Sequence, residues 1–256
     1  MILLKILSAE WLKTKRTPMR WVVFLAPILF SIFFLWYFSL KKITPTIQIS
    51  IFQMFFATFA TMVIPIVVGL ISGFIIYEEE LAGSFNGFLG CKLSRLSLYL
   101  GKLIMLIMLT SASIIIATFV LVFGLTLFMN IKVSWMIFVR AALLMEIGTI
   151  PLIAFNLWIS LAFGMGASLG FGSAGIVISG IAAIVGDKVW QFVIWSWPER
   201  LSRVQMFYLP DGGIKSHTYI FHETIKGIAP VTGSFILILA IGLIWFNKWE
   251  GRKSYD

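Results

Sequence analysis

Cys91 is the one cysteine among 256 residues, so neither a disulfide within the chain nor a cysteine-based metal cluster can form. Charge is nearly as scarce: 12% of the residues are charged against 60% hydrophobic, and the mean hydropathy is +0.99. Almost no stretch is polar enough to build a water-facing surface, which argues against a soluble domain and predicts one integral membrane domain over 1–256. A Walker A loop is missing: Gly101-Lys102 lacks both the earlier glycine and the following Ser or Thr, so any ATP hydrolysis must belong to a partner. An intramembrane hydrolase would need paired acids or histidines inside spans, and Glu146 stands alone there. His217 and His222 are five apart, a poor spacing for one helical face, so no metal site is expected and no catalytic or cofactor-binding residue is assigned. The net charge of +9 comes from bases that flank apolar runs without forming a patch. Anionic lipid headgroups and cytoplasmic retention explain them better than nucleic acid does.

What the chain has is apolar length. About 20 helical residues cross a bilayer core. That yardstick predicts spans at 21–40, 51–77 with a bend at Pro65, and 103–128. Residues 147–186 contain no charge over 40 positions, or roughly 60 Å if helical, twice the core thickness. The stretch must fold back, and the glycine-dense "FGMGASLGFG" at 163–172 is the natural turn. It divides the run into spans near 137–162 and 167–186, and residues 228–247 make a sixth. The first run, starting at Trp21, is too long for a signal sequence and lacks a small-residue cleavage site, so it reads as a retained span. Five bases precede that span (Lys5, Lys13, Lys15, Arg16, Arg20) and two follow it (Lys41, Lys42), which predicts a cytoplasmic N-terminus and, over six spans, a cytoplasmic C-terminus.

Four segments are patterned beyond simple apolar length. In residues 1–20, Leu4, Leu7 and Trp11 share a helical face away from Lys5, Lys13 and Lys15, as in a helix lying in the membrane interface. An ordinary basic flank fits equally. Residues 78–102 form the one sizeable cytoplasmic loop: Glu78, Glu79 and Glu80 crowd the expected N-terminal end of a short helix whose apolar face is Leu81, Phe85 and Phe88. That face has nothing in view to bury against except lipid or a partner protein. In the fifth span Ser168, Gly172, Gly175, Ser179 and Ala182 step by 4, 3, 4 and 3, and Gly166-x3-Gly170 adds a GxxxG match. Such a face suits close helix approach, either within this chain or against another chain. The external segment 187–227 concentrates Trp190, Phe192, Trp195 and Trp197, as in a re-entrant or interfacial helix pair. Inside the fourth span Glu146 and the deeper Asn156 either line a substrate path or, for Glu146, pair with a base such as Arg140.

Taken together, the N-terminal "AEWLKTKRT", the loop "EEELAGSFNGFLGCKLSRLSLYLGK" and the six-span order resemble the permease subunits of type-2 ABC exporters with the ABCG-like (type V) fold. The loop features that carry this are Glu80, Gly83, Ser84, Phe85, Leu89, Ser94, Arg95, Gly101 and Lys102. A departure is Lys92-Leu93, where many relatives have proline. The resemblance implies an all-α permease with an N-terminal interfacial helix, a cytoplasmic coupling helix and short external helices. It implies ATPase coupling through Glu78, Glu79, Glu80, Gly83, Ser84, Phe85, Phe88, Arg95 and Lys102. It also implies two ATPase copies holding ATP and Mg, a similar or identical second permease meeting Ser168, Gly172, Gly175 and Ser179, and an amphipathic peptide substrate. Within the family the chain is most like bacterial lantibiotic-immunity permeases of the cytoplasmic membrane. Export of another drug or peptide antibiotic is the alternative, and an ATP-independent channel or a membrane scaffold is the lower one.

Overall fold

Helix α1 (Ile2–Lys13) precedes the first span and leads through a tight turn into it. The computed structural model describes all residues except Met1, Ile43, Pro45, Ser84, Cys91, Lys92, 186–188, 210–216 and 253–256. Among them there is no strand, and six helices are long and apolar enough to span a membrane. These are α2 (Trp21–Ser39), α3 (Ile47–Leu81), α5 (Arg95–Phe128), α6 (Trp135–Phe163), α7 (Met165–Val185) and α9 (His217–Lys248), with the short α4 (Asn86–Leu89) and α8 (Trp197–Arg203) between them. All six predicted spans are present, but α3, α5 and α9 run well beyond the apolar stretches that announced them. Helix continues past the hydrocarbon wherever neighbouring elements can hold its last turns.

Burial ranks the spans. Of the most apolar window of α3, 67% is buried by the rest of the chain, against 28% for α2 and 17% for α9, so α3 forms the centre. Its bend has a local cause. Pro65 has no N–H for the carbonyl of Thr61 four residues earlier, and the preceding turn, Phe59–Val63, is a π-bulge. Ser179 of α7 donates its hydroxyl to that Thr61 carbonyl at 3.1 Å, while Ser168 donates to Gly69 O at 2.8 Å.

The small-residue stripe of α7 therefore packs inside this chain, which corrects the expectation that it meets a second permease. A Cβ on Gly172 would stand 2.5 Å from Pro65 O, and one on Gly175 would stand 2.3 Å from the Trp195 ring. Ser168, Gly172, Gly175 and Ser179 are all buried. The predicted fold-back falls at Gly164, whose φ of +93° suits glycine, and its N–H closes α6 on Ser160 O at 2.9 Å.

The aromatic segment expected outside enters the bundle. Trp190 and Trp197 are buried, and α8 lies against α6 so closely that a Cβ on Gly148 would be 2.8 Å from Pro198 N. Glu199 on α8 is ion-paired with Arg203 at 3.0 Å, so the buried carboxylate is compensated. Of Trp190, Phe192, Trp195 and Trp197, Phe192 is the exposed ring, at 83%.

Candidate functional site

Four elements converge at the end of the bundle where α3 stops: α1, the 82–94 connection, the start of α5 and the end of α9. Ser94 caps α5, accepting from Ser97 N at 3.2 Å, and so fixes where the connection ends. Its other end is fixed by Ala82, whose N–H bonds Glu78 O at 3.0 Å, and by Phe85, whose N–H bonds Glu79 O at 3.3 Å.

The acids do not stand where spacing predicted. Glu78, Glu79 and Glu80 lie in the last turn of α3, not at the N-terminus of the coupling helix, and α4 itself is only Asn86–Leu89. Phe85 adopts φ 69°, a left-handed conformation uncommon for a bulky residue, and this breaks the helical periodicity that had linked Leu81 to Phe85. Carboxylates at a helix C-terminus oppose the dipole by about 0.3–1 kcal/mol each. Bases from elsewhere in the chain offset this.

Glu79, 6% exposed, accepts from Lys102 at 2.7 Å and from Lys13. Lys102 and Lys13 also reach Glu10 of α1, each at 3.0 Å. Lys102 is 1% exposed and donates further to Ile75 O at 3.4 Å. Two acids and two bases thus form a closed group joining α1, α3 and α5. Burial alone would lower the pKa of Lys13, but Glu10 and Glu79 outweigh it and hold the ammonium above the ordinary lysine value. Glu10 was missed in the sequence reading. Its signal was there, because it is the only acid before residue 78 and sits inside an otherwise basic flank. Helix α1 docks through Ile6 and Glu10, continued by Thr14 of the following turn, with Ile6 over Gly101, whereas Leu4 and Trp11 of the predicted stripe stay exposed.

A second correction concerns the aromatic face. Phe85 and Phe88 are 1% and 7% exposed and already have a partner within this chain. Phe85 meets Trp249 edge-on at 5.0 Å, Phe88 meets Phe246 at 5.9 Å, and the Lys102 ammonium lies 4.8 Å from the Phe88 ring. Arg95 donates to the carbonyls of Phe246 and Trp249, capping the end of α9. Arg252 pairs with Glu80 and lies against the Gly164 turn, where a glycine Cβ would collide with its guanidinium. Arg95 and Lys102 are therefore internal fasteners. What the connection presents outward is Leu81, 64% exposed, with Ala82, Gly83, Asn86, Gly87, Leu93 and Leu96. Ser84 and Lys92, named in the sequence reading, lie outside the described residues. Beside this surface a groove of about 560 Å3 runs between α1 and the connection, lined by Lys5, Ala9, Gly87 and Leu93.

The two in-span polar residues part company. Asn156 is fully buried, its amide N–H donating to Leu152 O at 2.9 Å within α6, which ties it to its own helix. Glu146 accepts from Thr110 and Ser111 of α5 at 3.0 and 2.9 Å, and the exposed Arg140 does not pair with it.

Six apolar helices define a multi-pass membrane protein. Residues 6–193 match the ABC-2 family transporter protein family, and the chain belongs to that family. It is an ABC exporter permease, a membrane subunit without an ATPase of its own that works with ABC ATPase subunits. No curated protein and no solved structure matches it.

Proposed function

We propose that the chain expels an amphipathic antimicrobial peptide from the bacterial cytoplasmic membrane, conferring immunity on a lantibiotic producer, with both termini cytoplasmic. Two ATPase copies would supply ATP and Mg chemistry, and a second, similar or identical permease would complete the path. The carrying observation is the closed Glu10–Lys13–Glu79–Lys102 group together with Arg252 on Glu80. Through it, a push on the 82–94 surface acts on α1, α3, α5 and α9 together instead of bending one loop. That is the mechanical property an ATP-driven lever needs. The second permease has an outward face of α7 to meet, where Gly166 and Gly170 have open space above them.

The test is recovery from native membranes in mild detergent. The reading expects an ATP-binding subunit in near-stoichiometric amount, lost in Leu81→Asp and Asn86→Asp, and cells whose resistance to the producer's peptide falls in the same variants. Recovery of the chain alone would count against it. Export of another hydrophobic drug shares this geometry, and sensitivity profiling of the same strains separates the two.

A further inference from the structure

On the membrane-facing side of α5 and α6, away from the coupling end, lies a groove of about 450 Å3 walled by Ile115, Phe119, Trp135 and Leu143, a size that suits a small amphiphile. These four side chains are more than half exposed, so the groove opens toward lipid. Its lining is apolar apart from Glu146, Ser111 and Thr118. Glu146 Oε1 accepts from the Thr110 and Ser111 hydroxyls. Oε2 is buried and meets no partner, and neither does Thr118 Oγ1.

The position makes this unusual. Glu146 stands eleven residues past Trp135, about 16 Å along α6, near the middle of a hydrocarbon core of about 30 Å. A carboxylate at that depth is costly unless a counter-charge or a water-filled cavity serves it. Arg140 is exposed and does not supply that charge. Bilayer headgroup amines sit roughly 15 Å away at the interface, too far to serve. A partner that fits this position carries its cation on an apolar body that enters the groove from the side.

We infer that the α5–α6 groove is a lateral binding site for hydrophobic ammonium compounds, with the cation on Glu146 Oε2 and the apolar body against Phe119, Trp135 and Leu143. The inference names a substrate class for the export reading and rests on that reading for its role in transport. A lysine side chain of an amphipathic peptide and a small hydrophobic amine share this chemistry.

The experiment uses the full chain in nanodiscs and a pair of photoreactive probes, a diazirine-bearing dodecylamine and its neutral dodecanol counterpart. The amine is expected to label 115–122 and 135–143 at least tenfold more than the alcohol. Glu146→Gln should abolish that preference. Val139→Trp, which fills the groove and leaves the acid in place, should lose the labelling by both probes. Equal labelling by amine and alcohol, or an amine preference that survives Glu146→Gln, overturns the site and marks the groove as a lipid-tail crevice. Competition by a lysine-bearing amphipathic peptide but not by its lysine-acetylated form assigns the peptide as source. Competition by hydrophobic amines alone assigns the small molecule, and both results support the site. ATP-dependent release of bound probe is measured separately in complex with the ATPase. Glu146-dependent labelling without release would sink the export reading alone, and release without Glu146-dependent labelling would sink the site alone.

Discussion

Lys102, in the second turn of α5, lies 2.7 Å from Glu79, in the last turn of α3, and is more completely buried than most leucines of the chain. A lysine at 1% exposure is tolerated only because Glu79 and Glu10 satisfy it together. Its sequence context, Gly101-Lys102 at the start of an apolar run, looks like an ordinary flanking base. The structure makes it the hub of the ion-paired group that joins α1, α3 and α5.

Lys102→Met is expected to destabilise the protein by about 3–5 kcal/mol, because it leaves two carboxylates to the half-exposed Lys13. Combined with Glu79→Gln, the loss should be smaller than the sum of the two single losses. Thermal unfolding in mild detergent, run as a double-mutant cycle, measures this coupling. Strict additivity would refute the closed group.

Surface and interior positions of the connection should separate cleanly. Phe85→Asp removes a buried ring from Trp249 and is expected to cost about 3–5 kcal/mol in the isolated chain. Leu81→Asp touches only exposed surface, so stability should change by less than about 0.5 kcal/mol while ATPase co-purification falls at least tenfold. Both are read on the same preparations, by unfolding and by pull-down.

For α7, Gly172→Leu should force α3 and α7 apart and destabilise by about 1–3 kcal/mol or more. Gly170→Leu, with open space above it, should leave the unfolding temperature of the single chain unchanged. If the outward face meets a second permease, Gly170→Leu will still reduce recovery of the pair in crosslinking. An unchanged pair would place that contact elsewhere.

Arg252→Ala removes the Glu80 pair, which is partly exposed, so the stability loss should stay near about 0.5–1 kcal/mol. Transport should fall further than stability does, because the variant frees the α3 end from the tail that follows α9. Parallel assays of peptide resistance and unfolding test this, and a proportional fall in both would deny Arg252 a transmitting role.

The spans and the Gly164 turn were legible because bilayer thickness turns apolar length into structure with little help from tertiary contacts. The α7 stripe was legible as a face but not as a destination, since periodicity shows that small residues align and not which helix comes close. The end where α3 stops was least legible. Helical spacing through Leu81, Phe85 and Phe88 assumed a continuous helix, and one left-handed residue at Phe85 voids that assumption. The partners of those rings, Phe246 and Trp249, lie some 160 residues away, beyond any local pattern.

That separation also sets an order of events during synthesis. At roughly 5–20 residues per second, Phe246 and Trp249 emerge about 10–30 s after Phe85 and Phe88, and until then the two rings lack the cover that α9 and Trp249 bring. A nascent chain stalled before α9 should therefore present a sticky, protease-accessible connection that closes once the last helix inserts. The 82–94 connection therefore takes its final shape only once α9 is in place.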